Sequence, residues 1–438
     1  MPHVVVIGAG YVGLPTAIWL NEIGHQVTLV ETAPERLDML RCQQAPFSCP
    51  ELSSRLQAAD MERLRFQSCL EDCQTTDDVE AVILAVPADS RYDGSIDISI
   101  LTNVIKSLVT WPPARNAFIC VRSTVMVGDS AQMIAAVDHA SLLNRYVYWP
   151  AFLRQHRAFE DLARPDRIVV GCQSAQTATR FANQVFPENL HDLVLVMSCR
   201  EAELTKQMSN SVLAVNQVLT AELSLVCEHH AVNAEIVRRG IAGDFRIGMD
   251  LLEHHPGLGD LCLRKDLSAL CKITGETGTL LDSAAYRSDE FRRVAIGNIV
   301  RHVRRIGRSP TVAVVGLGYA SQVGDVRGAL SPQLLSALQG STAIRVWDAY
   351  ADVSSVIATM PGVEGFESLA ACLADADVAV LLVDHPELRE VNWEAQVGLM
   401  KDVRSIFDFA RVTPAGISDR LHNWYTAGSC PLCLSDGE

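Results

Sequence analysis

Apolar and polar positions along the chain fall into two rhythms. "HVVVIGAG" is a short apolar run ending in glycines, and "YVGLPTAIWLNEIG" after it carries apolar residues at helical spacing. "QVTLVE" predicts a second strand. "AVILAVPA", "AFICVRST" and "RIVVGC" are continuous apolar runs, the pattern of strands buried on both faces of a parallel sheet. Strands alternating with helices predict a doubly wound α/β sheet. From about Ser198 to about Arg305 the strand pattern vanishes. "EAELTKQMSNSVLAVNQVLTAELSLVCEHH", Glu201 to His230, has neither Pro nor Gly and keeps helical spacing. It predicts one long helix, a spine shared between domains or subunits. "GRSPTVAVVGLG" then opens a second α/β unit, continued by "IRVWDA", "VAVLLVDHP" and, as the expected last strand, "SIFDFAR". The two ends read as a divergent pair of nucleotide-binding units.

The first glycine run carries chemistry. "GAGYVG" places Gly8, Gly10 and Gly13 directly after a strand and at the start of a helix, with Tyr11 and Val12 inside the turn. Glycines there permit a tight turn and let a pyrophosphate approach the helix N-terminus. The next strand ends in Glu31, whose carboxylate can bind both ribose hydroxyls of NAD and would repel a 2′-phosphate. Arg36 could lie along the adenosine or serve NADP instead. Pro87 in "VPAD" and Ser123 and Thr124 in "STV" follow strands and therefore line the same crevice. The expected layout is a Rossmann-type domain over 1–197, a central helical segment over 198–305 and a C-terminal Rossmann-like domain over 306–438.

Composition narrows the partners. The 438 residues are 48% hydrophobic and 20% charged, with net charge −15 and a pI near 5.3, which argues against general nucleic-acid or anionic-membrane binding. No apolar run of about 18 residues is evident, and no signal peptide is expected, since the N-terminus reads as a strand rather than a basic segment followed by an apolar one. The 13 cysteines are scattered, many inside apolar runs, as reduced thiols of a cytoplasmic protein would be. "CPLC", Cys430 to Cys433, is the one CxxC; it reads as an incidental tail, with a metal or redox role as the alternative, and no metal site is otherwise expected.

Taken together and in order, the motifs resemble the UDP-glucose/GDP-mannose dehydrogenase family. "GAGYVG" with Glu31 looks like its NAD site. "RSTVMVG" is similar to its STVxxG, placing Thr124 at the catalytic threonine. "WPAFLRQHRAFEDLARPDRIVVG" resembles its PEFLREG…DxxxPDRxVxG, placing Phe152, Leu153 and Arg154 against substrate. "AELTKQMSN" places Lys206 and Asn210, and "GDFRIG" places Arg246. "GLGDLCLRKDLSAL" looks like GxGGSCxPKDxxAL, placing Gly257, Gly259, Cys262 and Asp266. "GLGYASQVGDVRGALSP" places Arg327.

The resemblance implies oxidation of a nucleotide-sugar CH₂OH, a UDP-sugar first, to a carboxylate with two NAD⁺. A Cys262 thiolate would trap the intermediate aldehyde as a thiohemiacetal, which then becomes a thioester. "GLGD" ahead of "LCLRKDLSAL" puts Cys262 near a helix N-terminus, where the dipole and Lys265 or Lys206 favour the thiolate. Asp266, one turn on, can position water; Lys206 and Asn210 can stabilise oxyanions; Arg246 and Arg327 suit a diphosphate. In the family the arginine segment reaches a neighbouring subunit's nucleotide, so a homodimer is implied. Departures cluster at the sugar end. Ala151 and Gln155 stand where the family has glutamates, Asp260 and Leu261 where it has Gly and Ser, Arg264 where it has Pro, and Ala320 where it has Lys. They predict a changed sugar, an oxidation stopping at the aldehyde, or slow thioester release. A catalytically silent nucleotide-sugar and NAD binder is the reading from another class.

Overall fold

The computed structural model describes residues 2–73, 79–91, 94–137, 141–230, 232–248, 261–274, 279–306, 309–401, 404–414 and 424–426. The chain forms two compact units, Met1–Ser209 and Asn210–Glu438. In the first, eight strands make one sheet: β1 (His3–Ile7), β2 (Gln26–Val30), β3 (Leu64–Gln67), β4 (Ala81–Leu84), β5 (Phe118–Val121), β6 (Tyr146–Tyr148), β7 (Ile168–Gly171) and β8 (Val194–Met197). Their order is β3-β2-β1-β4-β5-β6-β7-β8, parallel except for the β6–β7 pairing of Tyr148 with Gly171. The order reverses at β1, flanked by β2 and β4, so the carboxyl ends of these strands form the crevice where ligands sit in doubly wound sheets. The strands are apolar throughout because both faces are covered. One face packs around Leu14, Ile18, Phe118 and Phe181, the other around Leu101, Ile105, Tyr146 and Tyr148.

The second unit repeats the plan with six parallel strands: β9 (Thr311–Val315), β10 (Ala343–Trp347), β11 (Val363–Gly365), β12 (Val378–Leu381), β13 (Ser405–Asp408) and β14 (Trp424–Thr426). The order is β11-β10-β9-β12-β13-β14. The expected last strand is therefore not last: β14 pairs in parallel with β13. Like β3, β6, β8 and β11, it has only three or four residues, too few to show a period.

Between the two sheets in sequence the chain is helical. The long helix runs Cys199–His229, starting in the first unit, within two residues of the expected bounds. By length and composition its stretch Cys199–Cys227 could cross a membrane, which sequence reading did not anticipate. Its first turns nonetheless bury Glu203 and Gln207 completely, as a helix packed within protein does. In the second unit its later turns meet a helix Leu261–Thr274, the cysteine helix, and a helix Leu280–Arg305, the connector, around Ala214, Val218, Leu267 and Phe291. Thr279 and Asp282 close a capping box that starts the connector, whose Ile299 and Val303 then pack under the second sheet.

Candidate active site

The first glycine turn has the shape a dinucleotide needs. Gly8 sits at φ +99°, and a Cβ there would come 2.5 Å from the Ala85 carbonyl oxygen; one on Gly13 would come 1.9 Å from the Gly8 oxygen. Only glycine fits either position. A Cβ on Gly10, by contrast, would project into open space, a cradle left clear above the start of the helix Gly13–Glu22. Glu31 follows β2, and its carboxylate accepts the Ala9 N–H (3.2 Å) and the Ala33 N–H (2.9 Å). It is thus fixed at the crevice rim where ribose hydroxyls would arrive. Tyr11 packs against Phe47 with the rings tilted by 53°, Arg36 and Pro87 are exposed, and the Ser123 hydroxyl donates to the Val86 carbonyl at 2.6 Å. These residues fit NAD.

Thr124 is half-buried in the loop after β5, and the long helix holds that loop. The Glu203 carboxylate accepts the N–H groups of Gly128 (2.6 Å) and Ser130 (2.9 Å), and the Gln207 amide donates to the Val125 carbonyl (3.2 Å). Glu203, Lys206, Gln207 and Asn210 share one helix face at i, i+3, i+4 and i+7. Sequence reading singled out Lys206 and Asn210 and passed over Glu203 and Gln207. Polar side chains at that spacing inside an apolar helix were the available signal. Lys206 is buried, with its ammonium 5.2 Å from the centre of the Phe152 ring, which anchors it beside the segment Ala151–Arg154. Arg154 is held by Asp161 at 2.5 Å.

A third residue passed over in the sequence is Arg122. It is buried, its guanidinium lies 3.6 Å over the Trp149 ring, and its Nε and Nη1 have no acceptor among the described residues. Burial pulls its pKa down to about 10, so it stays charged at neutral pH. Where the loop after β5 enters the helix Asp129–Val137, burial pushes the Asp129 carboxyl up to about 6.

In the second unit, Cys262 is the second residue of the cysteine helix and is exposed. Asp266, one turn later, is fully buried and accepts the Asn210 amide at 2.6 Å. Sequence reading gave Asn210 and Asp266 separate tasks; the structure joins them directly. Arg246 and Arg327 are both exposed, and each is forked onto an aspartate two residues earlier, Asp244 at 2.5 Å and Asp325 at 2.7 Å. These aspartates also accept the arginines' own N–H groups, so each guanidinium is pre-aimed by a local turn. Gly257, Gly259, Asp260 and the CPLC pair lie outside the described residues. Among the described residues all eleven cysteines are free, and no group of His, Cys, Asp and Glu is arranged to hold a metal ion.

Comparison with known proteins finds relatives along nearly the whole chain. Three domain models of one family match the chain: the NAD binding domain of the UDP-glucose/GDP-mannose dehydrogenase family over residues 2–189, its central domain over 200–285 and its UDP binding domain over 313–415. The UDP-glucose 6-dehydrogenase of Pseudomonas aeruginosa is 32% identical across 97% of this chain and 98% of its own length. A UDP-glucose 6-dehydrogenase of Bacillus subtilis is 27% identical across 95% and 96%. Among solved structures, a UDP-glucose dehydrogenase from Pyrobaculum islandicum superposes with a TM-score of 0.84 at 23% identity, covering 98% of each chain. The UDP-D-ManNAc dehydrogenase of Pyrococcus horikoshii follows at 0.80 and 22%, covering 98% of this chain and 99% of its own.

Proposed function

Since the chain belongs to the UDP-glucose/GDP-mannose dehydrogenase family and is an NAD-dependent oxidoreductase acting on a CH–OH group, we propose that it oxidises the primary alcohol of a UDP-sugar to the carboxylate through Cys262. The observation that carries this reading is the exposed thiol in the first turn of its helix, one turn ahead of a buried carboxylate already bonded to Asn210. Bound NAD⁺ would supply the hydride acceptor that each of the two oxidations needs. Gly8, Gly10 and Gly13 admit its pyrophosphate, Glu31 its ribose, and Thr124 lies in the loop that Glu203 and Gln207 hold. The Cys262 thiolate adds to the aldehyde carbon, and the oxygen that becomes an oxyanion is stabilised by Lys206. Loss of hydride leaves a thioester on Cys262. Water then attacks that carbonyl and releases the thiolate and the carboxylic acid. Asp266 and Asn210 orient that water. Arg246 and Arg327 take the diphosphate.

Ala151 carries no carboxylate, so the second half-reaction lacks a general base worth on the order of 10² to 10⁴ in rate. Slow release of the acyl-enzyme follows, or oxidation that stops at the aldehyde. A screen of UDP-, GDP- and dTDP-sugars by NADH absorbance, with NADH counted per sugar, tests the whole reading. Two NADH with an initial burst fit slow acid release, one fits an early stop, and none overturns the proposal in favour of a silent binder. In Cys262→Ser, acid formation should vanish while NAD binding persists; acid made at an undiminished rate would sink the thioester route.

The long helix also gives the chain a partner. Leu204, Met208, Val212, Leu219 and Val226 are all exposed, at spacings of four and seven that hold one helix face. A second copy of this chain covers that face, making a homodimer. Light scattering at micromolar concentration should give twice the chain mass of 47.8 kDa, and an active monomer would exclude it.

A further inference from the structure

Away from the residues assigned to catalysis, the second unit has a cleft of about 590 Å³ whose lining includes Arg264, Asp289, Arg292, Arg293, Arg304 and Gln333. It lies among the cysteine helix, the connector and the helix Ser331–Leu338. Among the described residues that line it, four guanidinium groups against one carboxylate are a local excess of positive charge in a chain whose net charge is −15. The carboxylate is already engaged: Asp289 bonds Arg264 at 2.7 Å. Arg293 and Arg304 are exposed and have no acidic partner among the described residues. They stand eleven positions apart on the connector, in register with Gly297 and Val300 at i+4 and i+7. Three helical turns, about 16 Å, thus separate two unneutralised cations on one face. A Cβ on Gly297 would meet nothing, so the floor between them is open. Ile296, Val300 and Ala337 give the cleft an apolar wall.

Arg292 ties the cleft to the rest of the unit. It is buried, and its guanidinium donates to the carbonyls of Gly328 (2.9 Å) and Ala329 (2.6 Å) and to the Gln333 side chain (3.3 Å). The two carbonyls directly follow Arg327. Cys262 and Arg264 sit about 200° apart around their helix, so the cleft opens away from the thiol's side. Arginine forks match phosphate oxygens, and the volume is that of a nucleotide-sized ligand.

We propose that this cleft is a second anion site, binding a polyphosphate-bearing small molecule. Arg293 and Arg304 hold its charged ends, and Arg292 transmits occupancy to the Arg327 loop. This goes beyond the catalytic reading and assigns the cleft a regulatory role: occupancy shifts the KM for nucleotide sugar and leaves NAD affinity unchanged.

Calorimetric titration of the full chain, with saturating NAD⁺ and UDP present to occupy the catalytic crevice, tests it with two probes, ATP and inorganic tripolyphosphate. One site per chain is expected, weakened at least about tenfold in Arg293→Glu/Arg304→Glu and retained in Arg327→Ala. Turnover of the double variant without probe should match the parent. Tighter ATP binding identifies a nucleotide that uses the apolar wall; equal binding identifies an inorganic polyphosphate. If neither probe binds, or the double variant binds as the parent does, or Arg327→Ala alone abolishes binding, the site does not exist. Should the double variant unfold, Arg304→Ala removes one exposed charge and must still weaken binding.

Discussion

The molecule contains the same local device twice, and only one copy is open. After β1 the chain reads "GAGYVG"; after β9 it reads "GLGYAS". Gly8 and Gly316 both have positive φ, +99° and +86°, and a Cβ on either would strike the end of the strand across the switch point, at Ala85 and at Val383. An acidic residue follows the second strand of each sheet, Glu31 and Asp348. Each carboxylate accepts an N–H of its own turn and the N–H two residues on, Ala9 and Ala33 for Glu31, Leu317 and Tyr350 for Asp348, and there the likeness ends. In the first copy the helix starts at Gly13, so its N-terminus faces the cradle above Gly10. In the second the next helix starts only at Ser331, and the intervening loop folds back. Asp348 accepts the N–H groups of Leu317, Gly318, Tyr350 and Ala351, with the His385 imidazole 3.4 Å behind it. The His385 Nδ1 accepts the Gln322 N–H, so its Nε2 carries the hydrogen toward Asp348. Asp348 thus takes the Gly318 N–H as well as that of Leu317, whereas Glu31 takes only the Ala9 N–H of its turn among the described residues. A glycine turn after a strand does not make a dinucleotide site; an open turn that runs directly into a helix does.

The contrast predicts opposite outcomes for matched changes. Asp348→Ala should cost about 3–5 kcal/mol, since it strands buried donors and a histidine, and should lower the Tm without changing NAD affinity in calorimetry. Wild-type NAD affinity would be altered in that variant only if the second turn also served the cofactor. Acid should act at the same place. Burial raises the Asp348 carboxyl, but His385 and the N–H groups of Ala351 and Leu317 outweigh it and bring it down to about 2. A carboxyl held below its unfolded value stabilises the fold above about pH 4 and loses that contribution as pH falls through 2, about 2.5 kcal/mol in all. Acid unfolding followed by circular dichroism should therefore show a step that Asp348→Asn lacks.

Glu31→Ala belongs to the open copy. It should weaken NAD⁺ ten- to about a hundredfold in KM and relax discrimination against NADP⁺, with little change in Tm. An unchanged NAD⁺/NADP⁺ ratio would remove Glu31 from the ribose. The smallest effect, a change of several-fold, sharpens the contrast most. Gly10→Ala puts a methyl into open space, so it should fold normally and bind NAD⁺ more weakly. Gly318→Ala puts one 2.1 Å from the Val323 carbonyl oxygen, so it should fold less stably and bind NAD⁺ normally. Paired melting and titration curves that failed to cross in this way would erase the distinction between the two turns.

Much of this was legible in the chain. Strands buried on both faces are continuous apolar runs, glycines at strand ends mark tight turns, and a proline-free apolar stretch of helical period must be a long helix. The same local logic placed Glu31 after the second strand and Cys262 in the first turn of a helix. Short strands such as β6, β11 and β14 escaped because three residues carry no period and form only where a neighbour offers its edge. The residues that hold the Thr124 loop escaped for another reason. Glu203 and Gln207 are some 80 positions from Val125 and Gly128, and nothing local says what a polar side chain on an apolar helix will meet. Arg122 reads locally as an ordinary surface arginine, and only the fold brings Trp149 beneath it. Sequence alone determined the two sheets, the spine and the order of the chemical motifs, because those follow from periodicity and backbone sterics. Only the tertiary structure decided that Asp348 closes the second glycine turn, that Asn210 bonds Asp266, and that four arginines from two helices line one cleft. Contacts between distant segments depend on packing, which no local pattern encodes.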